Sequence, residues 1–157
     1  MKIITYRDKY KDQVIKLIFD IAEIEQGHHS KSGRPDIKNI PEFYQKSDRE
    51  NIWVEVDEKD NVVGTIGLTD CKNENGELQR MYVRQDLRRQ GIATKLLTEL
   101  LSFAKEKQYK AIYLTTVDEP GAKHSFYMNN GFKRVKFLPD GVTYSAKDSI
   151  FYKLEIK

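Results

Sequence analysis

Cysteine is nearly absent. Cys71 is the only one in 157 residues, which excludes an internal disulfide framework and fits a reducing cytoplasm. No run approaches the roughly 18 apolar residues of a membrane span, and the opening "MKIITYRDKYKDQ" has no signal-peptide core. No tract rich in Gly, Ser or Pro marks a linker, and no repeat or low-complexity segment interrupts the chain. A single domain over residues 1–157 is therefore expected. Neither sign of charge dominates: 27 basic and 24 acidic residues leave a net +3, too mild by itself to imply a nucleic-acid partner. Two nucleotide signatures are also missing. There is no G-x-x-x-x-G-K-[ST], and no G-x-G-x-x-G follows a strand.

What is present is an ordinary soluble balance, 39% apolar and 32% charged, with clear periodicities. "KIITYR" alternates like a short strand. From about Asp8 to Ile24, Val14, Leu17, Ile18, Ile21 and Ala22 form a helical stripe. "EQGHHSKSGRPD" reads as a polar loop and "IPEFYQK" as a short second helix. "NIWVEVDEKDNVVGTIGLTDC" reads as two strands joined by the turn "DEKDN", and "GELQRMYV" as another strand. From Gly91 to about Lys107, Ala93, Leu96, Leu97, Leu100, Leu101 and Ala104 lie on one face of a long helix. "KAIYLTTV" then reads as a strand buried on both faces, so a right-handed βαβ unit with parallel strands is expected. "GAKHSFYMNNGF" reads as a short helix ended by Gly131, followed by strands in "KRVKFLP" and "SIFYKLEI". The predicted order is β-α-α-β-β-β-α-β-α-β-β, an α/β (α+β) mixed sheet of six to seven strands flanked by about four helices.

The stretch "VRQDLRRQGIATKLL" puts two arginines and a glycine where the long helix must begin. The first turn of a helix carries N–H groups without internal partners and the positive end of the helix dipole. An anion satisfies both. Gly91 removes the side chain that would keep an anion off the backbone, and Arg88, Arg89 and Lys95 add charge around it. Spacing alone leaves two readings open: a diphosphate cradle, or a solvated basic helix start whose glycine serves the turn.

With the order of elements beside it, the segment resembles the GNAT superfamily of N-acetyltransferases. The acetyl-coenzyme A signature [Q/R]-x-x-G-x-[G/A] stands here as Arg88-Arg89-Gln90-Gly91-Ile92-Ala93. "FYMNNGF" matches the family's later Y-x-x-x-G-F block, and "VVGTIGL" looks like its preceding strand. The resemblance implies the GNAT fold, acetyl-CoA as cofactor, and N-acetyltransfer to a primary amine by direct attack. Carried over, the N–H groups of Arg89, Gln90, Gly91, Ile92, Ala93 and Thr94, with Arg88, hold the pyrophosphate. Met81, Tyr82 and Val83 lie on a bulged strand that pairs with the pantetheine arm. Two departures stand out: Gln85 where the family often has Pro, and Pro120 where an Asn is common.

Acetyl transfer needs a neutral amine, a donor for the developing oxyanion and a proton for the leaving thiolate. Tyr127, at the family's tyrosine position, is the expected general acid. Its alternative is an ordinary aromatic in a chain with nine tyrosines. Glu77 is the candidate general base through a water, against the alternative of an edge-of-strand acid facing solvent. A backbone N–H near Met81 is the oxyanion donor that the resemblance implies. Cys71 has no nearby His and reads as inert. His28 and His29 are adjacent, without carboxylate or Cys spacing, so no metal site is expected. His124, one turn before Tyr127, reads as a surface helix residue.

The acceptor, a small-molecule or peptide amine, would be chosen by the first helix, the following polar loop, the second helix and the region from Pro139 to Lys147. Asp20, Glu23 and Glu25 are candidates to attract a cationic amine. Similar proteins are commonly dimers. Two rivals share the chain: a GNAT-fold module that binds acyl-CoA without turnover, and a nucleic-acid binder using Arg84, Arg88 and Arg89. Neither a nucleic acid nor a membrane is the expected partner.

Overall fold

The computed structural model describes residues 1–26, 34–117, 121–143 and 149–157. Seven strands, β1 (Lys2–Thr5), β2 (Asn51–Val56), β3 (Val62–Asp70), β4 (Asn75–Val83), β5 (Ala111–Val117), β6 (Lys133–Val135) and β7 (Ser149–Glu155), are hydrogen-bonded in the order β1-β2-β3-β4-β5-β7-β6. The helices are α1 (Lys11–Gln26), α2 (Pro35–Lys38), α3 (Ile40–Tyr44), α4 (Ile92–Glu106) and α5 (Ala122–Asn129). The expected mixed α/β sheet is present, with one more helix than the sequence predicted. α2 falls where a polar loop was expected to run through Asp36. Pro35 sits in its first turn, where a missing N–H costs nothing. Four residues are too few to leave a periodic signature.

The chain forms two compact units. The first comprises Met1–Thr69 and Gln79–Ser102, the second Asp70–Leu78 and Phe103–Lys157. In the first, β1, β2 and β3 are antiparallel neighbours. The predicted turn between β2 and β3 forms because the Asp57 carboxylate accepts N–H groups of Lys59 and Asn61, both at 2.9 Å. The stripe of α1, Val14, Leu17, Ile18 and Ile21, packs into one apolar cluster with Ile37, Ile40, Tyr44, Ile52 and Val54. On α4, Ile92, Leu96, Leu97 and Leu100 are buried, whereas Ala93 and Leu101 are only half-buried. Each fully buried leucine contributes about 2 kcal/mol.

Gly64 on β3 lets the start of α4 come close. A Cβ there would meet Leu96 Cδ1 at 2.9 Å and the Tyr82 carbonyl oxygen at 3.3 Å.

In the second unit, β4 and β5 pair in parallel through Asn75–Ala111, Gly76–Ile112 and Glu77–Tyr113, the expected βαβ geometry. β5 then pairs antiparallel with β7 along its whole length, and β7 with β6. α5 ends as predicted. Gly131 is left-handed, with φ 91°. Its N–H donates to Met128 C=O at 3.1 Å, and the Phe132 N–H donates to Tyr127 C=O at 3.0 Å. Those two bonds are a Schellman motif, and glycine is what its left-handed position favours.

Candidate functional site

In the first unit, β4 leads into the basic loop. Arg84 N–H donates to Val63 C=O at 2.9 Å, and residues Gln85–Leu87 make one 3₁₀ turn. Arg84 is extended, with φ −53° and ψ 132°, so the turn forms without the proline that the family often has at Gln85. After it, Arg89 and Gly91 both take positive φ, 61° and 82°. Left-handed residues thus stand on either side of Gln90, and left-handed turns of this kind are what build the concave N–H arrangements that suit an anion. The first helical bond of α4 runs from Lys95 N–H to Gly91 C=O at 3.0 Å. The N–H groups of Ile92, Ala93 and Thr94 therefore precede the helical ladder. Among the described residues, no side-chain hydrogen bond caps them.

Gly91 meets two needs. Its φ disfavours any residue with a Cβ, and a Cβ added there would have nothing within 4 Å. The space that a side chain at this position would fill is open among the described residues. The arginines divide. Arg88 Nε donates to Val83 C=O at 3.1 Å, so its guanidinium braces the strand end while adding charge near the loop. Arg84 makes a bidentate pair with Asp86 at 2.7 and 3.2 Å. Arg89 stays exposed. Of the three cations of the nucleic-acid reading, Arg84 is neutralised by Asp86, whereas Arg88 and Arg89 keep their charge.

Strand β4 also carries the predicted irregularity. Arg80 is left-handed, with φ 53°, and interrupts the pleat just before Met81. Its C=O accepts the Thr65 hydroxyl at 2.7 Å. Its guanidinium donates through Nε and Nη2 to the two oxygens of Asp36, both at 2.7 Å. Burial works against the Asp36 carboxylate, but the hydrogen bonds and charge of Arg80 outweigh it and hold its pKa below the usual range. Burial, and then Asp36 beside it, pushes the Tyr44 hydroxyl up. None of Asp36, Tyr44, Thr65 and Arg80 was singled out from sequence.

In the second unit, Glu77 is only 3% exposed. The solvent-facing alternative for this acid is thereby removed. Its Oε2 accepts the Thr143 N–H at 2.9 Å. A charged group so placed must be held by hydrogen bonds. Tyr127, on α5, is 7% exposed. Its ring packs edge-on against Phe126 and Phe132, with centroids at 5.5 and 5.6 Å, and tilted against Tyr152 at 6.0 Å. His124 is not simply a surface residue: its Nδ1 lies 2.7 Å from the Tyr152 hydroxyl. Cys71 is a buried free thiol. His28, His29 and Pro120 lie outside the described residues, as do the side chain of Glu25 and the stretch from Tyr144 to Lys147.

Comparison with known proteins bears on the family and the fold. The family described as Acetyltransferase (GNAT) family matches residues 16–132. "Probable N-acetyltransferase camello" of Xenopus laevis is 33% identical over 137 residues, 83% of this chain and 62% of its own length. The chain thus spans about three-fifths of that relative. A GNAT-family acetyltransferase structure from Staphylococcus aureus Mu50 superposes with a TM-score of 0.91 at 33% identity, covering 99% of both chains. The PaiA N-acetyltransferase of Thermoplasma acidophilum, solved with coenzyme A, shares the fold at a TM-score of 0.77 and 16% identity, covering 98% of both chains.

Proposed function

The chain belongs to the acetyltransferase (GNAT) family, and on that premise we propose that residues 1–157 form one cytoplasmic domain that transfers an acetyl group from acetyl-CoA to a primary amine. The observation that carries this reading is the loop from Arg89 to Thr94, with left-handed turns at Arg89 and Gly91, amides ahead of the helical ladder, open space at Gly91 and, among the described residues, no side-chain cap. That donor set fits a diphosphate. Arg88, Arg89, Gln90, Gly91, Ile92, Ala93 and Thr94 would hold it, and Met81, Tyr82 and Val83 would offer backbone groups to the pantetheine arm. The Val83 carbonyl already accepts Arg88, so Met81 carries more of that task.

Acetyl-CoA supplies the acyl group as a thioester. Glu77, a buried carboxylate, takes a proton from the incoming ammonium through a water and leaves a neutral nitrogen lone pair. As the C–N bond forms and the C–S bond breaks, the Met81 N–H would stabilise the carbonyl oxygen and the Tyr127 hydroxyl would give its proton to sulfur; the proton still in excess on nitrogen then passes through solvent to the tyrosinate, leaving a neutral amide, a free thiol and a restored Tyr127. A tyrosine hydroxyl, ordinarily near pKa 10, is protonated at neutral pH and suited to donate. Direct attack needs no covalent enzyme nucleophile, which agrees with Cys71 being buried. Thiol release from acetyl-CoA, followed across a panel of small amines and peptides, tests the reading. Amine-dependent release supports it. Tight coenzyme A binding with no release on any amine would instead favour an acyl-CoA-binding module.

A further inference from the structure

Strand β4 is irregular at Arg80, and that irregularity is held from three directions. The φ of 53° is one that side chains with a Cβ rarely adopt. From α2, Asp36 grips the guanidinium with two bonds of 2.7 Å. From β3, the Thr65 hydroxyl donates to Arg80 C=O at 2.7 Å. From α3, the Tyr44 hydroxyl donates to Asp36 Oδ2 at 2.6 Å. That uses its only proton. The Gln79 side-chain amide, 3.0 Å from the same hydroxyl, is thus best satisfied by turning its NH₂ group toward Tyr44. The side chains of Asp36 and Arg80 are 13% and 21% exposed, so the pair is largely withdrawn from water and keeps its bidentate geometry.

The consequence lies in the next peptide. The peptide between Arg80 and Met81 is trans, as are all those among the described residues, so the C=O of Arg80 and the N–H of Met81 point in opposite directions. The carbonyl turned toward Thr65 on β3 fixes the Met81 N–H on the side away from β3. Met81 is the position assigned above to the developing oxyanion. We infer that Asp36 and Arg80 are positioning residues for acyl transfer: their ion pair locks the left-handed turn of β4 and so aims the Met81 amide. This inference rests on the proposed acetyltransfer. It also ties α2, next to the segment expected to select the acceptor, to the strand expected to hold the thioester.

The pair contributes to stability in either case; a purely structural pair would lower turnover and cofactor affinity together, whereas a positioning pair lowers turnover alone. The test compares Asp36→Ala, Arg80→Ala, Arg80→Gly and Arg80→Lys with the wild type for kcat, coenzyme A Kd and melting temperature. Expected is a fall in kcat of at least tenfold for Asp36→Ala and Arg80→Ala, with Kd within threefold. Arg80→Gly should recover part of that kcat, because glycine adopts positive φ freely. Equal loss in Arg80→Gly and Arg80→Ala, an unchanged kcat, or a Kd that worsens in step with kcat would overturn it.

A second readout needs no turnover and uses the mildest variant. The Met81 amide resonance should differ between coenzyme A and acetyl-CoA complexes in wild type, and that difference should shrink in Arg80→Lys, which loses the fork. An undiminished difference overturns the positioning role and leaves acetyltransfer standing. A wild type with no amine-dependent thiol release and no response at Gly91 to coenzyme A overturns both.

Discussion

The backbone N–H of Thr143 donates to Oε2 of Glu77 at 2.9 Å, joining residues 66 apart in sequence. The bond helps to hold this carboxyl group inside the second unit, where it is 3% exposed. Glu77→Gln preserves the shape and most hydrogen bonds but removes the base. We expect kcat/KM to fall about 100-fold or more, with coenzyme A affinity nearly unchanged. Steady-state kinetics on the best amine, beside calorimetric titration, checks both halves.

Thr143 reaches Glu77 because its segment is seated by Gly141. A Cβ there would lie 2.6 Å from the Cys71 carbonyl oxygen, and the φ is +91°. Gly141→Ala meets a backbone atom that cannot swing aside, and a conformation that L-residues avoid. The variant should lose at least about 1 kcal/mol of stability and lose turnover as Thr143 shifts. A melting temperature and kcat equal to wild type would show that the segment does not depend on this approach.

Tyr127→Phe keeps the ring that packs on Phe126, Phe132 and Tyr152 and removes only the hydroxyl. Melting temperature and coenzyme A affinity should stay close to wild type while kcat drops about 10- to 100-fold. Unchanged turnover would remove Tyr127 as the acid.

Much of this was legible in the sequence, and the reason is locality. The stripe on α4, the Gly131 stop of α5 and the "DEKDN" turn are each specified by residues within one or two turns of chain. So is the Gly91 loop, whose demand for positive φ and open space glycine meets by itself. The Arg80–Asp36 pair spans 44 residues and the Glu77–Thr143 bond 66. Nothing near Arg80 distinguishes it from a strand residue, and nothing near Asp36 distinguishes it from a loop acid. The burial of Glu77 depends on strands that flank it only after folding. A solvent-facing edge acid was therefore equally open from spacing alone.

Glu55 adds a test of pH dependence. It is 1% exposed on β2, and its Oε2 has no hydrogen-bond partner. Burial raises its pKa above the ordinary 4.5, with Lys95 pulling the other way. A carboxyl whose folded pKa is raised costs nothing below the unfolded value. The cost grows as pH climbs from there to the folded value, and stays constant above it. Glu55→Gln should therefore raise the melting temperature at pH 7 and leave it almost unchanged below about pH 4.5. Asp36, with its pKa lowered, has the opposite sign. Its contribution is present above its ordinary 3.8 and is lost as pH falls through the lower folded value. Asp36→Asn should accordingly destabilise most at neutral pH. Thermal melts at stepped pH separate the two.

Gly91→Val puts two methyl groups into the open space beside Gly91 and opposes a φ of +82°. Coenzyme A affinity should fall at least tenfold, while the buried face of α4 keeps the fold intact. Circular dichroism and calorimetry on the same sample read both.

The loop is tested most directly by amide resonances from Arg89 to Thr94 in ¹⁵N-labelled protein, titrated in parallel with coenzyme A and with pantetheine. Pantetheine has the same thiol arm and lacks the diphosphate. Coenzyme A should move these resonances strongly at saturation and pantetheine should leave them nearly still. Equal responses to the two ligands, or a loop indifferent to coenzyme A, would contradict the cradle and the acetyl transfer built on it.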